Sequence, residues 1–206
     1  MAGETEHSPR PPVLNARATA DELASLSLSA DPAVRAAVAA HPNTTPYILG
    51  TLAADFPAEV LRNPALPLLR LANPRFMTGW PQAGLIALVR RPDAPAWLRA
   101  LALTHPRTEY QVAVASHPAL TAAERAQLAA HPAWLVRARI AARPDTPPDL
   151  LDAFAHDPDY GVRLAAASRP DLPERSVAAL LNDPSRLVQQ VMRQTLGAPS
   201  ASRRPG

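Results

Sequence analysis

The chain predicts an all-α protein built as a solenoid of about seven two-helix repeats with a period of about 24–26 residues. Three observations lead there. His105-Pro106, His131-Pro132, Asp157-Pro158 and Asp183-Pro184 recur at a spacing of 26 residues. A second series, Pro92, Pro118, Pro144 and Pro170, runs in step with the first and divides each unit into two short segments. Proline lacks a backbone N–H and disfavours helix in the residue before it, so each one closes a segment and can open the next at its first turn. Third, aromatics make up only 4% of the chain and glycine only 7 residues, while Ala, Leu and Val dominate the apolar content, a composition suited to thin, closely packed helices.

Taken in order, residues 1–17 lack periodicity and read as a disordered N-terminal tail. Residues 18–196 read as a single repeat domain, opened over 18–30 by a capping helix that Thr19 and Asp21 start. The first unit, residues 31–55, places Val34 and Val38 on one helical stripe and Ile48, Leu49 and Leu52 on another. Phe56-Pro57 and Trp80-Pro81 are in place to open units two and three, but the extra prolines at 64, 67 and 74 predict an irregular unit between them.

Unit five shows the design most fully. Val136 and Ile140 stand four apart, Arg143-Pro144 breaks the chain, and Asp145-Thr146-Pro147 offers a capping residue before a first-turn proline. Leu150, Leu151 and Phe154 form its second stripe. Unit six repeats the pattern with Val162, Ala165 and Ala166, then Val177, Leu180 and Leu181, and unit seven keeps Val188, Val191 and Met192. Neither stripe can be buried within its own unit, so each must pack on its neighbours. Residues 197–206 read as a disordered C-terminal tail.

Composition excludes several kinds of chemistry. With no cysteine there is no disulfide, thiolate metal site or thiol nucleophile. No run reaches the roughly 20 apolar residues of a membrane span, and the first residues do not form a basic region followed by an apolar one. The expectation is a cytoplasmic protein with no membrane partner. All 21 basic residues are arginine, and they are unevenly spread. From Phe56 to Arg107, seven arginines face only Glu59 and Asp93, whereas from His131 to Thr195 eight arginines meet eight acids. An anionic partner is therefore expected to favour the middle of the stack.

Three stretches resemble one known family. They are Asp31-Pro32-Ala33-Val34-Arg35-Ala36-Ala37-Val38-Ala39, Val136-Arg137 followed by Ala141 to Pro147, and Val162-Arg163 followed by Ala165 to Pro170. They resemble the leucine-rich repeat variant family, whose units read as Val-Arg, small apolar residues, a proline pair, Thr-Pro and a leucine-rich segment. The likeness covers about residues 31 to 195. It implies a right-handed, HEAT-like superhelix of alternating α and 3₁₀ helices. The founding type of that family looks to carry a cysteine-ligated iron–sulfur cluster before its repeats, and a chain without cysteine departs from it there. The resemblance therefore implies no cofactor and no catalytic residues.

Several sets of residues have two readings. His41, His105, His117 and His131 all precede proline, as metal ligands or as helix-start caps, and Asp31, Asp157 and Asp183 in the equivalent place favour the cap. Arg35, Arg137 and Arg163 follow the valine of their units, either as a ladder for phosphates or acidic peptides or as partners of acids such as Asp157 and Asp159. Trp134 and Tyr160 share a repeat position, as an exposed ridge or as filling between helices. No serine has a recognisable His and Asp arrangement, and no glycine loop cradles a phosphate, so an enzyme is not expected.

The leading functional reading is a non-enzymatic scaffold that holds a protein or peptide in a concave groove, with Arg35, Trp134, Arg137, Tyr160 and Arg163 as contacts. The alternative is nucleic-acid binding through phosphates by Arg62, Arg70, Arg90, Arg91 and Arg99. A HEAT-shaped glycosylase would need an acid and an aromatic facing one cleft, and no local motif supplies them. No cofactor, metal or small-molecule substrate is expected.

Overall fold

Proline and short polar caps start the helices at the places the repeat requires. In the computed structural model, which describes residues 12–197, the described residues form fourteen α-helices and no strand. The first is α1 (Ala20–Leu26), opened by a capping box in which Thr19 and Glu22 satisfy each other's backbone N–H groups. Pairs then follow: α2 (Pro32–Ala40) with α3 (Pro46–Leu52), α4 (Pro57–Arg62) with α5 (Leu66–Ala72), and α6 (Gln82–Arg90) with α7 (Ala96–Leu103). The series continues with α8 (Thr108–Ala115) and α9 (Ala122–Ala129), α10 (Trp134–Ala141) and α11 (Pro148–Ala155), and α12 (Tyr160–Ala167) and α13 (Glu174–Leu181). α14 (Arg186–Gly197) closes it. Residues 1–11 and 198–206, most of the two segments read as tails, lie outside the described residues.

Both members of each pair are α-helical. The 3₁₀ alternation implied by the resemblance survives only as i to i−3 bonds at helix ends, such as His41 N–H to Val38 O and Asn63 N–H to Val60 O. Second helices of seven or eight residues are long enough to hold an i to i−4 ladder, whereas 3₁₀ runs rarely exceed one turn. One start is also shifted. α11 begins at Pro148 with Pro147 as its N-cap, because the second of two prolines takes the first-turn position. Thr146, expected to cap, instead donates its buried hydroxyl to Ile140 O at 2.6 Å.

The described chain divides into two units, one ending at Leu98 and the other starting at Arg99. In the second unit the first helices form a row, α8 on α10, α10 on α12 and α12 on α14, while α9, α11 and α13 pack between successive members. Val136, Ile140, Val162, Ala166, Val188 and Met192 fill that row, and Leu128, Phe154 and Leu180 fill the second layer, all buried. The apolar stripes read from the sequence are thus satisfied across unit boundaries.

In the first unit α2, α4 and α6 form a row of their own, but the second layer is not regular. α3 packs directly on α6, and α5 packs chiefly on α4. Two glycines allow this. A Cβ on Gly84 would stand 2.9 Å from the Ala53 Cβ, and one on Gly50 would stand 2.8 Å from the Trp80 ring. The irregular unit therefore keeps its first helix in the row and loses its second from the layer. The N-terminal part of the unit is tied down as well: the Asn15 carbonyl meets His41 Nε2 at 3.0 Å, and Asn43 Nδ2 donates to Ala18 O at 3.0 Å.

Candidate binding surface

The turns that open the units at Asp31, His105, His131, Asp157 and Asp183 share one construction. The residue before proline accepts a hydrogen bond from the backbone N–H two positions on: Asp31 from Ala33, His105 from Arg107, His131 from Ala133, Asp157 from Asp159 and Asp183 from Ser185, at 2.7 to 3.1 Å. His41 and His117, at the second proline of their units, accept likewise from Asn43 and Ala119. In each histidine Nδ1 is the acceptor, which leaves the proton of the neutral ring on Nε2. These side chains therefore act as turn caps. Among the described residues no three His, Asp or Glu side chains converge as a metal site would require.

Six residues into each regular unit a long polar side chain reaches back to the same turn. Arg137 Nη1 donates to His131 O and Pro132 O, each at 2.8 Å, and Arg163 Nη1 donates to Asp157 O and Pro158 O at 2.7 and 3.0 Å. Arg35 does the same to Ser29 O and Ala30 O, and the amides of Gln111 and Gln189 reach His105 O and Asp183 O. The two arginines also grip the next unit. Arg137 holds Asp157 through Nε and Nη2 at 2.7 and 2.8 Å, and Arg163 holds Asp183 at 2.6 and 3.2 Å. Arg35 instead lies 5.5 Å from the centre of the Phe56 ring, which opens the next unit.

These acids feel opposing forces. Burial pushes the Asp157 and Asp183 carboxyls up, but hydrogen bonds from Arg137 and Arg163 and from the backbone of Asp159 and Ser185 outweigh it and hold both below the ordinary carboxylate range. Hydrogen bonding to Asp157 correspondingly raises Arg137. With four of its five N–H groups engaged inside the chain, each of Arg137 and Arg163 serves as a tie between units.

A second tie was not read from the sequence, which treats the residue before the second proline only as a stop. Arg143 Nη1 donates to Ala115 O and His117 O of the preceding unit at 3.0 and 2.8 Å while its Nε and Nη2 hold Asp145. One period on, Arg169 reaches Ala141 O and Pro144 O and holds Asp171, and Thr195 reaches Ala167 O. In the first unit Asn63 plays this part, donating to Ala39 O and His41 O. The signal was present as the spacing of 26 residues from 143 to 169 to 195.

Trp134 and Tyr160 occupy the first turns of α10 and α12 and are 46% and 56% exposed. Their rings do not stack on one another as a ridge would require. The Trp134 ring lies over Gly161, where a Cβ would come within 2.6 Å of it, so the tryptophan covers the start of the next helix and shows its other face to solvent.

The middle arginines are mostly engaged. Arg91 holds Asp93 at 2.9 Å, Arg62 lies 3.9 Å from Glu59, and Arg99 is buried against Glu124 at 3.3 Å. Arg70 lies 4.9 Å from the centre of the Trp97 ring, and Arg90 is exposed at the end of α6.

Residues 134–159 and 160–185 each match the family described as leucine rich repeat variant. The two matches are successive and begin at Trp134 and Tyr160, three residues into the units opened by His131 and Asp157. No match was found among curated proteins or among solved structures.

Proposed function

We propose that the chain is a non-catalytic repeat scaffold of the cytoplasm that holds a protein or peptide along the face bearing Trp134 and Tyr160. The observation that supports this reading is the exposure of two large aromatics at one repeat position in consecutive units of an alanine-rich chain. Rigid amphipathic rings on an ordered backbone make efficient anchors, since little side-chain entropy is lost on binding. Arg137 and Arg163 contribute by fixing the spacing of α10 and α12, and Arg35 has the same place in the first unit. The nucleic-acid reading draws less support, because Arg91 is held by Asp93 and Arg99 is buried against Glu124.

Affinity capture with the wild-type chain and with a Trp134→Ser/Tyr160→Ser variant, followed by titration of any captured protein in pure form, tests this reading. A partner whose affinity falls at least tenfold in the variant, a loss of about 1.4 kcal/mol, supports it. A partner bound equally by both proteins sinks this face as the docking surface. Titration with labelled duplex DNA is the parallel measurement for the other reading, and tight, steeply salt-dependent binding would overturn the one proposed.

A further inference from the structure

In α5 the outward side of the helix is the apolar one. Leu66 points inward and is buried, while Leu68 and Leu71 are 69% and 84% exposed, with Pro67 and Ala72 exposed beside them. At 100° per residue these four side chains share one arc of the helix, and no polar side chain lies within it. Single exposed leucines are ordinary, but a whole helical face of them is a contact surface. The cause lies in the packing, since α3 closes directly on α6 and leaves α5 on α4 alone as its main support.

The charge of the segment that carries this face has one sign. Between Glu59 and Asp93 the chain contains Arg62, Arg70, Arg75, Arg90 and Arg91 and no acid. The two bracketing acids are already answered, Glu59 by Arg62 and Asp93 by Arg91. Arg62 ends α4, Arg75 follows α5, and both are exposed, while Arg70 lies on the Trp97 ring at the inner margin of the helix. A second copy of the chain is a poor occupant, because joining two such faces would bring two sets of arginines together. Nucleic acid would use the arginines and leave the leucines in water.

We propose that the outer face of α5 docks on an anionic membrane surface. Leu68 and Leu71 enter the boundary between headgroups and acyl chains, and Arg62 and Arg75 meet lipid phosphates. Leucines on one side and arginines at the margins are what an interfacial helix requires, and each arginine near an anionic leaflet adds to the attraction. Contact of this kind is reversible and leaves the helix lying in the interface. It agrees with the finding that no helix among the described residues is long and apolar enough to cross a bilayer. The inference is independent of the scaffold reading, since none of its residues belongs to the Trp134 face.

The test is co-sedimentation of the full chain with phosphatidylcholine vesicles, with and without phosphatidylserine. Three proteins are compared: wild type, Leu68→Ser/Leu71→Ser and Arg62→Gln/Arg75→Gln. The expected result is binding only to vesicles containing phosphatidylserine, weakened about tenfold or more in each variant and reduced by salt. Because Leu68 and Leu71 are exposed, the serine variant should melt with the wild type, which separates loss of binding from loss of fold. A Leu71→Cys variant, labelled at the chain's sole thiol with an environment-sensitive dye, should shift to the blue on the same vesicles. Failure of the wild type to bind, or equal binding by the serine variant, overturns the proposal. So does duplex-DNA binding that the arginine variant loses and the serine variant keeps, with no response to vesicles.

Discussion

The guanidinium of Arg137 meets the carboxylate of Asp157 through two hydrogen bonds of 2.7 and 2.8 Å, fastening α10 of one unit to the residue that opens the next. One period on, Arg163 meets Asp183 in the same way. The unit before them carries Gln111, and the residue 20 positions later is His131. At these three boundaries an aspartate opens the unit where an arginine precedes it, and a histidine where a glutamine does. The side chains at this boundary form a matched set.

Exchanging one member alone should accordingly cost more than exchanging both. Arg137→Gln leaves the buried Asp157 carboxylate without its ion pair and should destabilise by about 2 to 3 kcal/mol, below the 3–5 kcal/mol of a wholly buried pair because a little solvent reaches it. Asp157→His alone leaves the arginine unpaired. The double change recreates the Gln111 and His131 arrangement, in which histidine Nδ1 still accepts the turn N–H, so it should recover at least about 1 kcal/mol of the summed loss. A double-mutant cycle by urea denaturation measures this, and strict additivity would show that the two positions do not act together.

The same acids set the response to low pH. Asp157, Asp183, Asp145 and Asp171 are all held below the ordinary carboxylate range, so each favours the folded state fully above its unfolded value near about 4, and that contribution is lost as pH falls through the lower folded value. Asp145 and Asp171 are 41% and 53% exposed, so solvent screens them and Asp157 and Asp183 dominate. Thermal melts should show stability falling as the pH drops below about 4. Asp157→Asn/Asp183→Asn should lower stability at neutral pH and flatten the acid limb. An unchanged acid limb in that variant would place the titration elsewhere.

Much of this was legible in the proline spacing, and the reason is physical. Proline acts on the chain locally, so Pro32, Pro46 and Pro57 start helices wherever the chain carries them. The valine stripe was equally plain, since Val136, Val162 and Val188 are one row in sequence and in space. The fate of α5 was not legible, because it depends on how closely α3 and α6 approach, and that rests on the absent side chains of Gly50 and Gly84. At the candidate surface, the repeat position of Trp134 and Tyr160 could be read, but their ring geometry could not. The tryptophan settles on Gly161, a residue conspicuous only for what it lacks.

Those glycines give a paired prediction. Gly to Ala inside a helix ordinarily gains about 0.5–1 kcal/mol. At Gly50 the new methyl would stand 2.8 Å from Cγ and Cδ1 of Trp80, a buried ring rooted in the turn before α6, so Gly50→Ala should cost about 1–3 kcal/mol through overpacking. At Gly161 the methyl would meet the outer edge of Trp134, a half-exposed ring with solvent rather than core on its far side. Gly161→Ala should then change stability by less than about 0.5 kcal/mol while shifting tryptophan emission to the red. Equal losses at the two sites would mean that Trp134 is held as firmly as Trp80.

Asn63 offers the sharpest test of the tie that the sequence did not reveal. It is 1% exposed, its amide nitrogen donates to Ala39 O and His41 O at 2.9 and 2.8 Å, and its oxygen accepts from Ala65 N–H at 2.9 Å. One side chain thus closes α2, caps the start of the next segment and joins two units. Asn63→Ala removes all three bonds inside the core and should destabilise by about 2 to 3 kcal/mol, near 1 kcal/mol for each. Asp is nearly the same size and keeps the acceptor for Ala65, yet it would turn a carboxylate toward two carbonyl oxygens. Asn63→Asp should therefore be at least as damaging as Asn63→Ala at neutral pH and should improve relative to it as the pH is lowered, once a protonated carboxyl can donate. If Asn63→Asp folds as well as the wild type at neutral pH, the two donated bonds do not hold the units together.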